Sequence, residues 1–494
     1  MTLWEILKAN KIGIAPDMFT MLAASKMNGG RGRLHELSGI PPLSFTAKGN
    51  PLTAWSITGN TVQNGTPTPE NPVEVVGVGD RTGNLFDYST IRTGYRIAWA
   101  TGEDYADNTA MMSDYIKVKN TTYSCSNTAM IICYDGNKKY LGALNKSMVV
   151  EKEVGIFCDM FTINDNECKF IKLLAYQGVV IGNKTMLNEG STALPYEPYG
   201  YKIPVVTRGK NLFNYNDEHT TSGLAEMYTI SNLDTNKYYT CSTSFEKVTG
   251  VGTASIYFAG GNSTSNGVWK DTPRTFKPDN NGQIAVYIRY KTAEGAPPIF
   301  NEVLSGEITV MVEEGSTATP YEPYHEPITT PIYLPTPLYS GEVMRSDSSR
   351  EVKFHKLVLT GSEDWRFQSI NSYGIANFYI YTDPTFKQGN KHFCTHFSIQ
   401  TTLIAETANE GVYFSNNNII YIRVKQELAN TVSSLKSWLT EQYTAGTPVT
   451  IWYTLKTPTT ETFTAPQIPT LNGTTVIDVD TAVKPESMTI KYRR

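Results

Sequence analysis

GSTALPYEPYG at 190–200 and GSTATPYEPYH at 315–325 are one phrase written twice. A second phrase recurs in step with it, NLFD at 84–87 and NLFN at 211–214. The NLF phrases lie 127 residues apart and the GSTA phrases 125. Two different phrases recurring at nearly one offset mark a duplicated unit that opens on NLF and closes on PYEPY. TYSCS (122–126) and YYTCS (238–242) stand at comparable places after NLF, which supports true duplication. The copies span about 84–203 and 204–330, and the rest of the chain leads into this pair or follows it.

Strand candidates in the first copy are YIKVK (115–119), TYSCS, MIICY (130–134) and FIKLLAY (170–176), with a turn at DGNKK (135–139). The second copy offers YYTCS, ASIYFAG (254–260), IAVYIRY (284–290) and ITVMVEE (308–314). Short strands at this spacing, punctuated by turn residues, predict a jelly-roll type β-sandwich in each copy. Proline fixes an extended backbone, so PYEPY is expected to run as polyproline II along the sandwich edge. Tyr196, Tyr199, Tyr321 and Tyr324 would then cover apolar surface.

Residues 1–43 form an expected helical attachment or oligomerisation segment. Thr2 and Glu5 make a capping box before Leu3, Ile6 and Leu7, and Pro16 and Asp17 open a second short helix closed by Gly29 and Gly30. Two such helices cannot build a core alone, so they pack on the next domain or dock onto another subunit. Residues 44–83 read as a β and Pro-rich linker, with Pro67, Pro69 and Pro72 favouring an edge strand or a stiff connection. Residues 331–494 read as a C-terminal β-rich domain holding the clearest helix, 426–443. There Leu428, Val432, Leu435 and Leu439 fall on one face before Gly446 and Pro448. This domain either stands alone or closes with residues 51–80, the repeats then being an insertion. The fold class is mainly β: tandem jelly-roll-like β-sandwiches, short N-terminal helices and one helix in the C-terminal domain.

Composition excludes several classes. With 43 basic and 47 acidic residues the net charge is −4, and no basic stripe of the kind nucleic acid requires is present. No window reaches the ~18 apolar residues of a membrane span. The mixed start MTLWEILKANK is not a signal peptide, so usual secretion is not expected. Six cysteines without a CxxC pair read as buried free thiols in a protein made in a reducing cytoplasm.

Several phrases together resemble minor structural proteins of tailed phages: GNTVQNGTPTPENPVEVVGVGD, the NLF openings, the GSTA–PYEPY closings, KLVLTGSEDW, and SWLTEQYTAGTPVTIWYTLKTPTTE. The resemblance covers about 50–494 and is narrower to tail, baseplate or fibre proteins of prophages of Gram-positive hosts. It implies carbohydrate-binding-module-like sandwiches, a place at the host-facing end of the virion, and a homotrimer. Other virion proteins would be met through the N-terminal helices, and a host surface glycan is the further partner. A head fibre is a variant of the same reading.

Trp99 in RIAWATGEDY and Trp269 in STSNGVWKDT are the loop aromatics best suited to stacking on sugar rings. They are not equivalent between the copies, and covering a sandwich end suits each equally. Trp365 in GSEDW is read as a packing residue. His392, Cys394 and His396 share one strand face, but successive side chains there sit about 7 Å apart. Three-fold ligation would need a kink, so no metal site is assigned, and no cofactor is expected. Carboxylate pairs for glycoside hydrolysis must face each other roughly 5 to 9.5 Å apart. Glu103 with Asp104, Glu313 with Glu314, and Glu363 with Asp364 are sequence neighbours and point to opposite strand faces. GxSxG, P-loop, GxGxxG and HExxH motifs are absent. The expectation is a non-enzymatic virion component, then an adhesin for cell-wall polysaccharide, and last a tail-associated glycan hydrolase.

Overall fold

Leu43, Phe45 and Ala47 are buried while Ser44, Thr46 and Lys48 between them face out, the two-residue period of a half-buried strand. That alternation recurs along the chain of the computed structural model. It describes residues 34–493 apart from 146–148, 152–155, 177, 223–224, 246–252, 261–262, 269–272, 292–307, 384–385, 387–390, 401–406 and 416–417. The expected N-terminal helices and Trp269 lie outside the described residues. What is described is mainly β, with several sheets and one α-helix.

Two sheets form a base. One orders its strands Leu34–Gly39, Ser487–Arg493, Ala54–Thr58, Val343–Arg345, Ser349–Val358, Thr450–Thr462 and His392–Cys394. The other orders Leu43–Lys48, Asn472–Val479, Tyr201–Arg208 and Ile328–Leu334, with Asp80–Arg81 also pairing Tyr201–Arg208. Trp55, Ile57, Met488 and Ile490 from the first sheet meet Phe45, Ile203, Val205, Ile332 and Ile477 from the second in one core. The stretch 44–83 is therefore not a linker. Trp55 and Ile57, at 4% and 0% exposed, are core residues of a central strand.

Three excursions leave this base, each between neighbouring strands. Residues 82–200 run from Arg81 back to its antiparallel partner Tyr201, and 209–327 run from the end of Tyr201–Arg208 to Ile328, the partner of Thr207. The third, 359–449, lies between the paired strands Ser349–Val358 and Thr450–Thr462, and within it His392–Cys394 returns to the edge of the base sheet. The unit expected over 331–494 is thus divided between the base and this third excursion.

In the first module the separate candidates TYSCS and MIICY are one 13-residue strand, Thr122–Tyr134, whose pairing with Phe157–Thr162 shifts register between Ser124 and Ala129. Leu187–Glu189 pairs with its first half, and Tyr140–Leu144 and Phe170–Ala175 with its second. Ile131, Cys133, Ile171 and Leu173 bury one face, and Met130, Ile132 and Leu174 bury the other. In the second module, Tyr228, Ile256, Phe258, Val286 and Ile288 of a five-stranded sheet share a core with Tyr239, Cys241, Phe276, Val310 and Val312 of a three-stranded one. All six cysteines are buried free thiols.

The helix spans Val432–Thr444, six residues shorter at its start than the pattern predicts. Thr431 and Ser434 form a reciprocal capping box that starts it there, and Leu435 and Leu439 are its buried residues. They pack with Phe378, Ile420 and Ile422 of the five-stranded sheet in the third excursion. Trp365 packs in the same core at 3% exposed, its indole N–H donating to Glu363 (3.2 Å).

The duplicated phrases meet at the necks of the two modules. Asn84 is buried; its Nδ2 donates to the carbonyls of Thr185 (3.1 Å) and Glu197 (2.9 Å), and its Oδ1 accepts from the N–H groups of Phe86 and Leu187 (both 3.0 Å). Asn211 repeats every bond: Nδ2 reaches the carbonyls of Val310 and Glu322 (both 3.1 Å), and Oδ1 accepts from Phe213 (3.0 Å) and Val312 (3.2 Å). The carboxylate of PYEPY completes each neck. Glu197 takes the Lys202 ammonium (2.6 Å) and the Gly83 N–H (2.9 Å), while Glu322 takes Lys210 (3.1 Å) and the N–H and hydroxyl of Thr474 (2.7 and 2.8 Å). Of the four tyrosines expected to cover apolar surface, Tyr324 is half-buried and the other three are more open. Tyr196, Tyr199 and Tyr321 are 41%, 39% and 47% exposed, and the asparagine and glutamate close the neck instead.

Candidate functional site

Trp99 occupies the turn between the strands Arg92–Ile97 and Asp104–Met112. The turn closes on Ala98, whose carbonyl accepts from the N–H groups of Thr101 (3.2 Å) and Gly102 (2.7 Å). Gly102 has φ +75°, and a Cβ there would lie 2.3 Å from Tyr140, so only glycine lets the two hairpins approach. Tyr140 in turn donates its hydroxyl to the Trp99 carbonyl (2.9 Å). The tryptophan is half-buried, with its ring against the cluster of Ile97, Ala110, Met112 and Leu174.

Beside Trp99 the strand pairing sets Arg96 opposite Tyr105. The Arg96 guanidinium lies 4.6 Å from the ring centre of Tyr176, 5.1 Å from Tyr105 and 5.9 Å from Trp99. Its Nη1 also meets the Asp107 carboxylate at 3.3 Å. Hydrogen bonds from the Thr109 hydroxyl and N–H, with Arg96 adding to them, hold Asp107 below the usual carboxylate range. Tyr95 and Tyr105 stand 42% and 41% exposed on this hairpin.

Farther along the same sheet, Lys172 pairs with Ile132 and is 6% exposed. Its ammonium lies 4.2 Å from the Tyr115 ring centre and 5.5 Å from that of Tyr134. Burial pushes this lysine down. Lys138 approaches the other side of the cluster, 4.8 Å from Tyr115.

One face of this hairpin sets the rings of Tyr105 and Trp99 beside the Arg96 guanidinium and the Asp107 carboxylate, while Tyr95 lies on the other face against Arg92. Rings of this kind stack on the apolar face of a sugar, while Arg96 and Asp107 supply a donor and an acceptor for hydroxyls. Trp99 lies inside the arrangement but is half-committed to the protein. Tyr95, Tyr105, Arg96 and Asp107 were not singled out from sequence. Their signal was the alternation of aromatic and charged residues on both sides of the Trp99 turn.

The other sequence candidates hold separate roles. His392 stacks on Phe414 with ring centres 3.8 Å apart, and its Nδ1 accepts from the Thr454 N–H (3.3 Å). Burial lowers its pKa to about 4. Cys394 is fully buried in the core of the third excursion, and the His396 Nδ1 meets the Thr395 hydroxyl (2.8 Å). Among the described residues no group of three His, Cys, Asp or Glu is placed to hold a metal ion. The carboxylates of the three acidic pairs have their own partners. Asp104 pairs with Arg92 (2.6 Å), Glu314 with Lys237 (2.8 Å) and Asp364 with Arg366 (3.4 Å). Glu313 accepts from the Thr319 hydroxyl (2.6 Å), and Glu363 accepts from the N–H groups of Thr360 and Gly361 (2.6 and 3.0 Å).

The fold and the hairpin together define a class: a multi-sheet β protein with a base assembled from distant segments and modules carried on short necks. No helix among the described residues is long and apolar enough to cross a membrane. No known protein family, curated protein or solved structure matches the chain.

Proposed function

We propose that this protein is a structural component of a phage virion, at the tail tip, baseplate or fibre, and presents its β modules toward the host surface. The supporting observation is the neck. Two duplicated modules leave one base between adjacent strands and are closed by the same four-bond asparagine. That is a way to display domains without disturbing the scaffold that carries them. The phrases that resemble tail and baseplate proteins point the same way, and the reading expects jelly-roll-like modules and assembly as a homotrimer in the virion. A chain of 54.9 kDa should then sediment at three times that mass.

The hairpin of the first module favours a second reading, a receptor-binding adhesin for host cell-wall polysaccharide. Here Trp99 and Tyr105 are the platform, and Arg96 and Asp107 the polar contacts. The test is co-sedimentation of purified protein with intact Gram-positive cells and with isolated wall polysaccharide, beside Trp99→Ala and Tyr105→Ala. Binding that falls at least tenfold in either variant makes the hairpin the adhesive site. Binding that survives both removes the hairpin from the account. Release of reducing ends would instead make the protein a hydrolase, and absence of binding across the panel would leave the scaffold role.

A further inference from the structure

A second place for a ligand lies on the base, away from the hairpin. A cleft of about 610 Å³ opens between the outer face of the larger base sheet, the segment 72–76 and the loop 446–448. Strand register puts Lys356 beside Trp452 and Trp452 beside Phe393 on that face. Tyr339 closes the floor, with its ring centre 6.2 Å from that of Trp452. Tyr201 and Arg81 come from the neck of the first module, where the Arg81 guanidinium lies 4.5 Å from the Tyr201 ring centre and 5.6 Å from Tyr199.

The two cations of the cleft are held by rings and not by carboxylates. Among the described residues neither Arg81 nor Lys356 has a carboxylate within 4.0 Å. Their contacts are with rings: Lys356 lies 5.5 Å from the Trp452 ring centre. Burial, and the like charge of Arg81, push the Lys356 ammonium down. Two acids also line the cleft. Asp80 accepts from the Ala482 N–H (3.2 Å), and Glu74 stands on the 72–76 segment. Two cations that lie over aromatic rings and are not ion-paired offer a place for an anion joined to a ring that can stack beside them. The volume falls within the roughly 300–1,000 Å³ of small-ligand sites.

We propose that this cleft binds an acidic saccharide, its phosphate or carboxylate between Arg81 and Lys356 and its ring over Trp452 and Tyr339. Asp80 and Glu74 would accept from its hydroxyls. The inference rests on the cleft alone and holds whether or not the hairpin binds glycan.

The test is titration calorimetry of the full chain with three probes: a phosphorylated glucose oligosaccharide, a glucuronic acid oligosaccharide and a neutral glucose oligosaccharide. At least one acidic probe should bind, with affinity falling as salt rises, and the neutral one should bind at least tenfold more weakly. Lys356→Gln and Arg81→Gln should each weaken the acidic probe about tenfold, whereas Trp99→Ala should not. Preference for the phosphorylated probe identifies a sugar phosphate ligand, and preference for glucuronate a uronic acid. The Lys356 side chain reaches solvent from the outer face of the strand Ser349–Val358 and is not part of a core, so its variant should stay folded. The salt dependence of the wild-type protein needs no variant at all. Equal binding of the neutral probe, no binding of either acidic probe, or an unchanged affinity in both cation variants would each overturn the proposal.

Discussion

Asn84 and Asn211 close the modules at the scale of single residues. Each amide satisfies two backbone N–H groups and two carbonyls that would otherwise be orphaned inside the neck. A buried polar group left unpaired costs about 1–3 kcal/mol, far more than the net gain of making one bond. Asn84→Ala should therefore destabilise the first module by about 2–5 kcal/mol on denaturant unfolding followed by a probe within that module. Tyr196→Ala, removing an exposed ring, should cost under about 1 kcal/mol. Equal losses would mean that the neck is held by the tyrosines after all. The NLF phrase was visible in the sequence as a repeat, but not the role of its asparagine. Three of its four partners lie about a hundred residues away, and only the folded neck brings them to the amide.

Between residue and fold stands the neck as an element, and its chemistry is acid-sensitive. Burial would raise Glu197, but the hydrogen bonds from Lys202 and the Gly83 N–H outweigh it and hold the carboxyl below its usual value near 4.5. Glu322 follows the same course, with burial opposed by the Thr474 N–H and hydroxyl and by Lys210. A carboxyl with a lowered folded-state pKa contributes stability that is complete above the unfolded value. That contribution is lost as the pH falls through the folded one. Melting temperature should thus drop as the pH is lowered below about 4.5, and a Glu197→Gln, Glu322→Gln double variant should show a shallower drop over that interval. An identical slope in the variant would remove the glutamates from the acid response. The helix teaches a related lesson about elements. Leu435 and Leu439 were legible as its buried face, but its start was set by the Thr431–Ser434 box and not by the apolar stripe that reaches back to Leu428.

For the whole molecule, the arrangement of the base makes a distinct prediction. Strands near both ends of the described chain are interior or adjoining members of one sheet: Ser487–Arg493 lies between Leu34–Gly39 and Ala54–Thr58. Arg81 and Tyr201 are paired neighbours, so a two-residue turn can replace 82–200. The base and second module of that deletion should remain folded, with native-like circular dichroism and cooperative melting. Removing 487–493 takes a strand from the middle of a sheet and should abolish folding. Aggregation of the deletion lacking 82–200 would show that the base needs the module, against the scaffold described above.

The sequence by itself determined the duplication, the strand-rich character and most of the strand positions. These follow from period-two alternation, turn residues and repeated phrases, all of which are local. It also placed Trp365 in a core. It left open whether 44–83 is a linker or, over 51–80, part of one domain with 331–494, because the strands that pair with Ala54–Thr58, Val343–Arg345 and Ser487–Arg493, lie far along the chain. It could not join TYSCS to MIICY, since a register shift within one strand looks like a break between two. Nor could it find the cleft, whose Arg81, Tyr201, Tyr339, Lys356 and Trp452 come from five separate segments. Long-range pairing has no local signature, so tertiary structure alone decided where these residues meet.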